Sequence, residues 1–562
     1  MTMMSLAEAD AALTAAGQRF EIEHVDIRGV PTLTYRNAPA TLPDILRASR
    51  DHGDAVFIVY EGERLTFAEH FRAACALGHT LRDRFGIREG DRVAIAMRNF
   101  PEWCVAFWAA ASAGAVVVPL NAWWSAEELW YGLHDSGSRV LFADTERAGR
   151  IAGRRPDLPD LEAVVVARPG SDRLPPDVLS WDRVVGVGPA DVEPPRVSVA
   201  SEDDATIFYT SGTTGRPKGA VGTHRNICTS PMNVLYSGAR DALRSGAVPG
   251  AAGPSAYLLS VPLFHVTGCH SLMVGHLLSG GKLVMMHRWD PGRALQLIEE
   301  ERITSFGGVP SMAIDVLNHQ DFEKFDTSSV KGVRYGGAPA PPDLVKRIRR
   351  AFNTAATNGY GMTETSALAT INTGEEYLRK PDSVGRPLPV VEVRIVDGDG
   401  AAVPAGELGE LWVKGPNVVR GYWNRPEATA QTFSDGWVHT GDVARMDDEG
   451  FVYIVDRAKD MLIRGGENIY SVEIEGVLFE HPAVAEAAVI GVPHPTLGEE
   501  VGAVITTKAG ATVTASELQR FVGERLAAFK VPVRIWFLEG GLPRNPAGKV
   551  LKRDLRERLL AG

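Results

Sequence analysis

Through most of its length this chain alternates short apolar runs with helix-length segments, and few folds accommodate that pattern. The strand candidates are residues 92–97, 115–120, 139–143, 206–209, 257–261 and 282–286. Between them, segments such as 125–136 and 291–301 carry helical periodicity. Strands covered on both faces read as unbroken apolar runs, and crossover helices supply the cover. The alternation therefore predicts α/β layers with largely parallel sheets. At 562 residues the chain exceeds what one core can organise, so at least two domains are expected.

The pattern changes near residue 389. Alternating strands follow at 391–395, 410–413 and 451–454, with Asp397-Gly-Asp-Gly400 as a turn, and predict a small β-barrel over about 389–455. After Asp456 the chain reverts to mixed α and β. This predicts a large N-terminal domain, residues 1–458, made of layered α/β sheets plus the barrel. A smaller, mobile α+β C-terminal lid domain, 459–562, follows it. Two stretches read as loops: 153–200, with eight of the 35 prolines, and the Gly/Ala-rich 238–255.

Composition excludes some functions. A net charge of −11 argues against a nucleic-acid partner, which calls for a basic face. The four cysteines (Cys75, Cys104, Cys228, Cys269) lack metal-ligand spacing and suit reduced thiols in a cytoplasmic protein. No basic region precedes an apolar run in residues 1–10, so no signal peptide is expected. Residues 103–120 run 18 positions without a charge, the length of a membrane span. Gly114 divides that run, and it reads as a buried helix followed by a buried strand, with no transmembrane segment.

The segment Tyr209-Thr-Ser-Gly-Thr-Thr-Gly-Arg-Pro-Lys-Gly219 carries the chemistry furthest. Glycines leaving a strand can turn bare N–H groups toward an anion. The hydroxyls of Thr210, Ser211, Thr213 and Thr214 add donors, Gly212 and Gly215 add freedom, and Lys218 adds a charge suited to phosphate. A Walker A loop would end in Gly-Lys-Ser/Thr to hold Mg²⁺. Here Pro217 precedes Lys218 and Gly219 follows it, so that ligand is missing.

Four further motifs follow in order: Asn358-Gly-Tyr-Gly-Met-Thr-Glu-Thr365, Trp437-Val-His-Thr-Gly-Asp442, Asp456-Arg-Ala-Lys-Asp-Met-Leu-Ile-Arg-Gly-Gly-Glu-Asn-Ile-Tyr470 and Pro543-Arg-Asn-Pro-Ala-Gly-Lys-Val-Leu-Lys552. Together with the loop they resemble the adenylate-forming superfamily of acyl-CoA synthetases, peptide-synthetase adenylation domains and beetle luciferases. The resemblance runs from about Leu65 onward. It implies an ATP-dependent acid–CoA ligase that forms an acyl-AMP with release of pyrophosphate and then passes the acyl group to CoA.

Joining two anions is a matter of positioning and charge neutralisation. Glu364 would bind Mg²⁺, which prefers carboxylate oxygen, and Thr363 could donate to the α-phosphate. Tyr360 offers an aromatic face to adenine, Asn358 an amide for its exocyclic amine, and Asp442 an acceptor for both ribose hydroxyls. Gly359 and Gly361 flank Tyr360, and Arg457 could reach the ribose or the phosphate. Each also has a plain structural reading: a helix-start carboxylate for Glu364, core packing for Tyr360, a turn residue for Asp442, a solvated lysine beside Lys552 and Arg553 for Lys549.

Other roles come from the resemblance alone. Gly336-Gly337-Ala338-Pro339 would cover the second adenine face. Lys549 would be brought in by the lid to bridge the carboxylate and the α-phosphate. Lys459 would be the hinge, and Gly465 and Gly466 would line the pantetheine tunnel. His265 would lie near the acyl pocket. Small residues (Gly268, Cys269, Gly307, Gly308, Ala338) suggest a roomy apolar pocket for a fatty, aryl or polycyclic acid. Positions 264–266 hold no Asp to pair an amino-acid ammonium. The nearest rival is a free-standing enzyme loading a carrier-protein thiol. With 13 residues after Lys549, no fused carrier is expected. A luciferase-like oxygenase, a non-catalytic nucleotide binder and a membrane lipid transporter are further alternatives, and a homodimer is left open.

Overall fold

The computed structural model describes residues 4–170, 175, 177–186, 188–210, 216–250, 253, 255–338, 340–341, 343–457, 460–464, 467–508, 510–544 and 550–560. Two large sheets organise the N-terminal part. One has eight strands, in the order Gly421–Tyr422, Lys218–Thr223, Asp204–Thr210, Val116–Pro119, Arg92–Ala96, Val140–Asp144, Ala163–Ala167, Val178–Ser180. The other has nine, in the order Arg386–Pro387, Thr370–Thr373, Ala355–Tyr360, Gly332–Gly336, Ser305–Gly308, Ala256–Leu259, Lys282–Met285, Val56–Tyr60, Glu63–Thr66. Both are parallel through their centres and antiparallel only at their margins, as the alternating pattern predicts.

The sheets stack into five layers. Their inner faces share one core, with Val93, Ile95, Val117 and Phe142 on one side and Tyr257, Leu259, Leu283 and Met285 on the other. The helices Phe67–Asp83 and Pro101–Ser112 fill the space between. The outer face of the eight-stranded sheet lies under Ala126–Ser136 and Thr145–Ala152. That of the nine-stranded sheet lies under Pro291–Glu300, Pro310–Leu317 and Leu344–Phe352.

The long apolar run divides where the glycine stands. The helix ends at Ser112, Gly114 turns the chain at φ 80°, and Val116–Pro119 enters the sheet. No helix among the described residues is long and apolar enough to cross a membrane.

Both expected loops need correction. Residues 153–200 contain the fully buried strand Ala163–Ala167, because the prolines flank a β-branched run without interrupting it. Residues 238–255 begin as helix: His224–Arg244 is continuous, its C-terminal half anchored by Arg240 to Asp10 (3.6 Å), Asp241 to Thr373 (2.8 Å) and Arg244 to Glu376 (2.9 Å). Those tertiary contacts offset the weak helix propensity of Gly238.

The expected barrel is a five-stranded antiparallel sheet with Glu392–Val396, Gly409–Lys414, Trp437–Met446, Phe433–Ser434 and Val452–Arg457. A further five-stranded sheet, Glu467–Ile469, Leu462–Arg464, Gly498–Thr507, Val484–His494 and Arg534–Phe537, forms the C-terminal unit with the helices Ser471–Glu480, Ala515–Gly523 and Lys552–Leu560.

Candidate active site

The glycine-rich segment is flanked by the two strands of a β-hairpin. Strands Asp204–Thr210 and Lys218–Thr223 pair antiparallel, with Tyr209 opposite Gly219 and Thr210 opposite Lys218. The turn residues Ser211, Gly212, Thr213, Thr214 and Gly215 lie outside the described residues. The base of the hairpin is held from several directions. Tyr131 donates its hydroxyl to the Pro217 carbonyl at 3.1 Å. Tyr209 and Arg425 both donate to the Asp135 carboxylate, at 2.8 and 2.7 Å. The Trp423 amide donates to the Gly219 carbonyl at 2.7 Å.

Strand Ala355–Tyr360 runs into a single 3₁₀ turn, Thr363–Thr365, which presents Glu364. Glu364 is buried, and its Oε1 accepts the Tyr422 hydroxyl at 2.6 Å. The Val419 amide donates to its backbone carbonyl at 2.9 Å. Tyr422 pairs with Ala220 at the edge of the hairpin, and the Lys218 ammonium stands 4.9 Å from its ring centroid. One side chain thus orients the candidate metal carboxylate and carries the loop lysine on its face. Burial, followed by the Glu364 charge, holds the Tyr422 hydroxyl well above its ordinary range and keeps it a donor. Tyr422 escapes sequence reasoning. The Gly421-Tyr-Trp-Asn-Arg-Pro426 run carries no chemical signal by itself.

The nucleotide side is assembled from neighbouring strand ends. Gly336 lies opposite Gly359, and Tyr335 opposite Asn358. Gly337, at φ +72°, has open space where a side chain would point. Ala338 follows, partly exposed, while Pro339 lies outside the described residues. Asn358 is buried, and Tyr360, Gly361 and Thr363 are partly exposed. Tyr360 donates its hydroxyl to Asp442 Oδ2 at 2.6 Å. Arg457, the cross-strand partner of Asp442, places Nε 3.3 Å from Oδ1. Burial, reinforced by the Asp442 charge, pushes the Tyr360 hydroxyl well above its ordinary range. Tyr360 therefore also positions Asp442, the candidate ribose acceptor, a contact its sequence context did not suggest.

The acyl-pocket candidates fall into two groups. His265 sits in a turn whose amide donates to the Pro262 carbonyl at 3.1 Å, with its ring 5.2 Å from that of Phe264. Gly268 and Cys269 open a π-helical segment, Thr267–Met273, a form that favours functional positions. A side chain at Gly268 would meet the Pro262 carbonyl oxygen at 2.3 Å, and Cys269 is wholly buried in the core. Gly307 and Gly308 end strand Ser305–Gly308, with Gly308 beside Met312, Val261 and Ser260.

Lys459, Gly465, Gly466 and Lys549 lie outside the described residues. Lys552, three positions beyond Lys549, is partly exposed and held by the C-terminal unit, while Arg553 beside it is exposed. Its Nζ donates to Ser471 Oγ at 2.6 Å and lies 2.7 Å from Glu475 Oε1. Ser471 in turn donates to Asp456 Oδ1 at 3.1 Å. Burial alone would lower the Lys552 ammonium, but the Glu475 and Asp456 charges hold it above its ordinary value.

Among the described residues no group of three or more His, Cys, Asp or Glu could hold a metal unaided. A single carboxylate completed by phosphate oxygens and water is how Mg²⁺ usually binds. Glu364 fits: Tyr422 occupies Oε1, and no described hydrogen bond engages Oε2.

The AMP-binding enzyme family matches residues 45–423, and its C-terminal domain matches residues 473–549. A feruloyl-CoA synthase from an Amycolatopsis species is 38% identical over 514 residues, covering 91% of this chain and 98% of the relative. A long-chain-fatty-acid–CoA ligase from Mycobacterium tuberculosis is 36% identical over 504 residues, covering 89% and 94%. The solved o-succinylbenzoate CoA synthetase of Bacillus subtilis, in complex with its acyl-adenylate intermediate, superposes with a TM-score of 0.75 at 31% identity, covering 91% and 97%.

Proposed function

This chain belongs to the AMP-binding enzyme family and is an AMP-forming carboxylic acid–CoA ligase, and from that premise we propose which of its residues carry the two half-reactions. The observation that carries the assignment is the pair of contacts Tyr422–Glu364 and Tyr360–Asp442. They tie the strand beside the 204–223 hairpin to the 358–365 segment, and that segment to the Asp442 strand, which supports reading them as one site.

In the first half-reaction a carboxylate oxygen of the acid attacks the α-phosphorus of ATP and pyrophosphate leaves. The 210–218 loop, with Lys218, holds the β- and γ-phosphates. Thr363 donates to the α-phosphate. Asp442 accepts the ribose hydroxyls, aided by Arg457, and Asn358, Tyr360 and the 336–339 segment enclose adenine. Glu364 would hold Mg²⁺, which neutralises phosphate charge. Lys549, carried by the C-terminal domain, supplies a cation where charge develops.

In the second half-reaction the CoA thiolate attacks the acyl carbonyl and AMP leaves. The domains 1–458 and 459–562 reorient about Lys459, Lys549 withdraws, and Gly465 and Gly466 admit the pantetheine arm. His265 and the glycines at 307 and 308 border the acyl group. The acid is fatty, aryl or polycyclic, in keeping with the acids that the relatives' names specify. Four buried, unpaired thiols suit a cytoplasmic protein.

AMP release measured against a panel of carboxylic acids, with and without CoA, tests this reading. CoA-dependent AMP formation with at least one acid supports it. Turnover only with a pantetheinylated carrier protein would move it to the carrier-loading alternative, and no AMP with any acid would overturn it.

A further inference from the structure

Strand Gly332–Gly336 sends Val333 and Tyr335 into the apolar layer beneath the outer helices, where both are buried. Alternation turns Arg334 to the opposite face, beneath the long helix His224–Arg244. There its cross-strand neighbours are Gly307 and Thr357. Gly307 cannot carry a side chain, since a Cβ would lie 1.7 Å from the Arg334 carbonyl oxygen. Gly307 therefore places no side chain over the guanidinium. In the middle of a nine-stranded sheet Arg334 remains partly exposed, and it forms no hydrogen bond or ion pair with the described residues.

Asp241, Tyr257 and His276 lie within electrostatic reach of Arg334, and Asp241 and His276 have other hydrogen-bond partners. Asp241 accepts from Thr373 at 2.8 Å, and Thr373 meets Thr357 at 3.1 Å. Arg240 pairs with Asp10 at 3.6 Å and Arg244 with Glu376 at 2.9 Å. The three cations Arg240, Arg244 and Arg334 are thus balanced in charge by the three carboxylates Asp10, Asp241 and Glu376, with no surplus positive charge. A second carboxylate would give this layer a net negative charge at a desolvation cost, whereas a neutral oxygen could satisfy the guanidinium without adding charge.

The position also sets a length. Gly336 marks the end of the strand, beside Gly359 and the nucleotide site. Arg334 lies two residues behind it, about 7 Å along the strand. Its Nε lies 4.0 Å from the point where a Gly332 side chain would begin, so the side chain reaches back, away from the phosphates. We propose that Arg334 reads a carbonyl or hydroxyl oxygen at the far end of the bound acid, so that this ligase takes an acid oxygenated on the order of 10 Å from its carboxyl group. A purely apolar acid would leave the guanidinium desolvated and without a hydrogen-bond partner, and a site built to hydrogen-bond an oxygen rejects the analogue lacking it. The inference rests on the acid–CoA ligase reading and on the acyl group lying over Gly307.

The test compares decanoic, 9-oxodecanoic, 9-hydroxydecanoic and decanedioic acids. CoA-dependent AMP release gives kcat/KM, and calorimetry gives binding, which needs no turnover. The wild-type chain should favour the oxo or hydroxy acid over decanoic acid by about 10- to 100-fold, with decanedioic acid poor. Arg334→Leu should reduce that preference to within about twofold, and Arg334→Lys should keep part of it. Arg334→Gln, of similar length, replaces the leucine variant if that one does not fold. Equal use of the four acids, an unchanged preference in the folded variants, or decanedioic acid as best substrate would overturn the proposal. Absence of AMP with every acid would count against the ligase reading, and the calorimetric order of the acids would still decide the role of Arg334.

Discussion

The hydroxyl of Tyr422 donates to Glu364 Oε1 at 2.6 Å across 58 residues of chain, and the same ring carries the Lys218 ammonium 4.9 Å from its centre. Removing the hydroxyl frees the carboxylate to rotate without disturbing the strand. Tyr422→Phe is expected to lower the rate of acid-dependent pyrophosphate exchange about 10-fold, the scale of one hydrogen bond to a charged group. Added Mg²⁺ should recover part of the loss. An unchanged rate at limiting Mg²⁺ would return Tyr422 to a packing role.

Asp442 is held between Tyr360 and Arg457, so its removal should affect ATP more than folding. Asp442→Ala is expected to weaken ATP binding by 10-fold or more, from charge-assisted bonds of about 1.5–3 kcal/mol each. Tyr360→Phe should show a smaller effect in the same direction. Calorimetric titration with ATP checks both, and unchanged affinity in Asp442→Ala would leave it a turn residue.

Lys549 and Lys552 stand three residues apart and should fail differently. Lys549→Ala is expected to cut acyl-adenylate formation by about 10²–10³ and to spare thioester formation from supplied acyl-adenylate. Lys552→Ala leaves Glu475 and Asp456 buried without their cation, which costs about 3–5 kcal/mol for a broken buried pair. It should lower the melting temperature and depress both half-reactions together. Single-turnover assays and thermal unfolding separate the two behaviours.

Proline at the hinge tests the two-position reading. Lys459→Pro fixes φ near −65° and removes an N–H, so a residue needing two backbone conformations is confined to one. Adenylation should stay near normal while CoA thioester formation falls. Equal loss of both steps, or of neither, would place the pivot elsewhere.

Acid should destabilise the fold through its buried histidines. Burial lowers His70 and His270 to about 3, and His224 and His276 to about 4, from an ordinary value of 6.5. Their folded values are depressed, so the stabilisation is complete above pH 6.5. It declines toward pH 4 as the unfolded chain takes up protons that the folded chain refuses, at up to about 1.4 kcal/mol per pH unit for each histidine. Melting temperatures should fall steeply between pH 7 and pH 5. A flat profile over that range would mean these rings are charged in the fold.

What the sequence determined by itself was local and repetitive. The alternation of apolar runs with helical segments yielded the parallel layers, because burial on both faces demands unbroken apolar strands. Gly114 marked the break in the longest apolar run, and residue type and order singled out the hydroxyl-rich loop, Glu364 and Asp442 as candidates. The tertiary structure alone decided which side chains meet. Tyr422 reaches Glu364 because a two-residue strand pairs with the edge of the hairpin, and Tyr360 reaches Asp442 across 82 residues. Helix His224–Arg244 extends past Gly238 because Thr373 and Glu376 hold its end. Lys552 is drawn in from solvent because the buried Glu475 and Ser471 receive it. Arg334 lies on the face opposite Val333 and Tyr335 because the register of its strand puts it there. Partners this distant are set by strand order and register, which depend on the packing of the whole chain and leave no mark in the spacing of neighbouring residues.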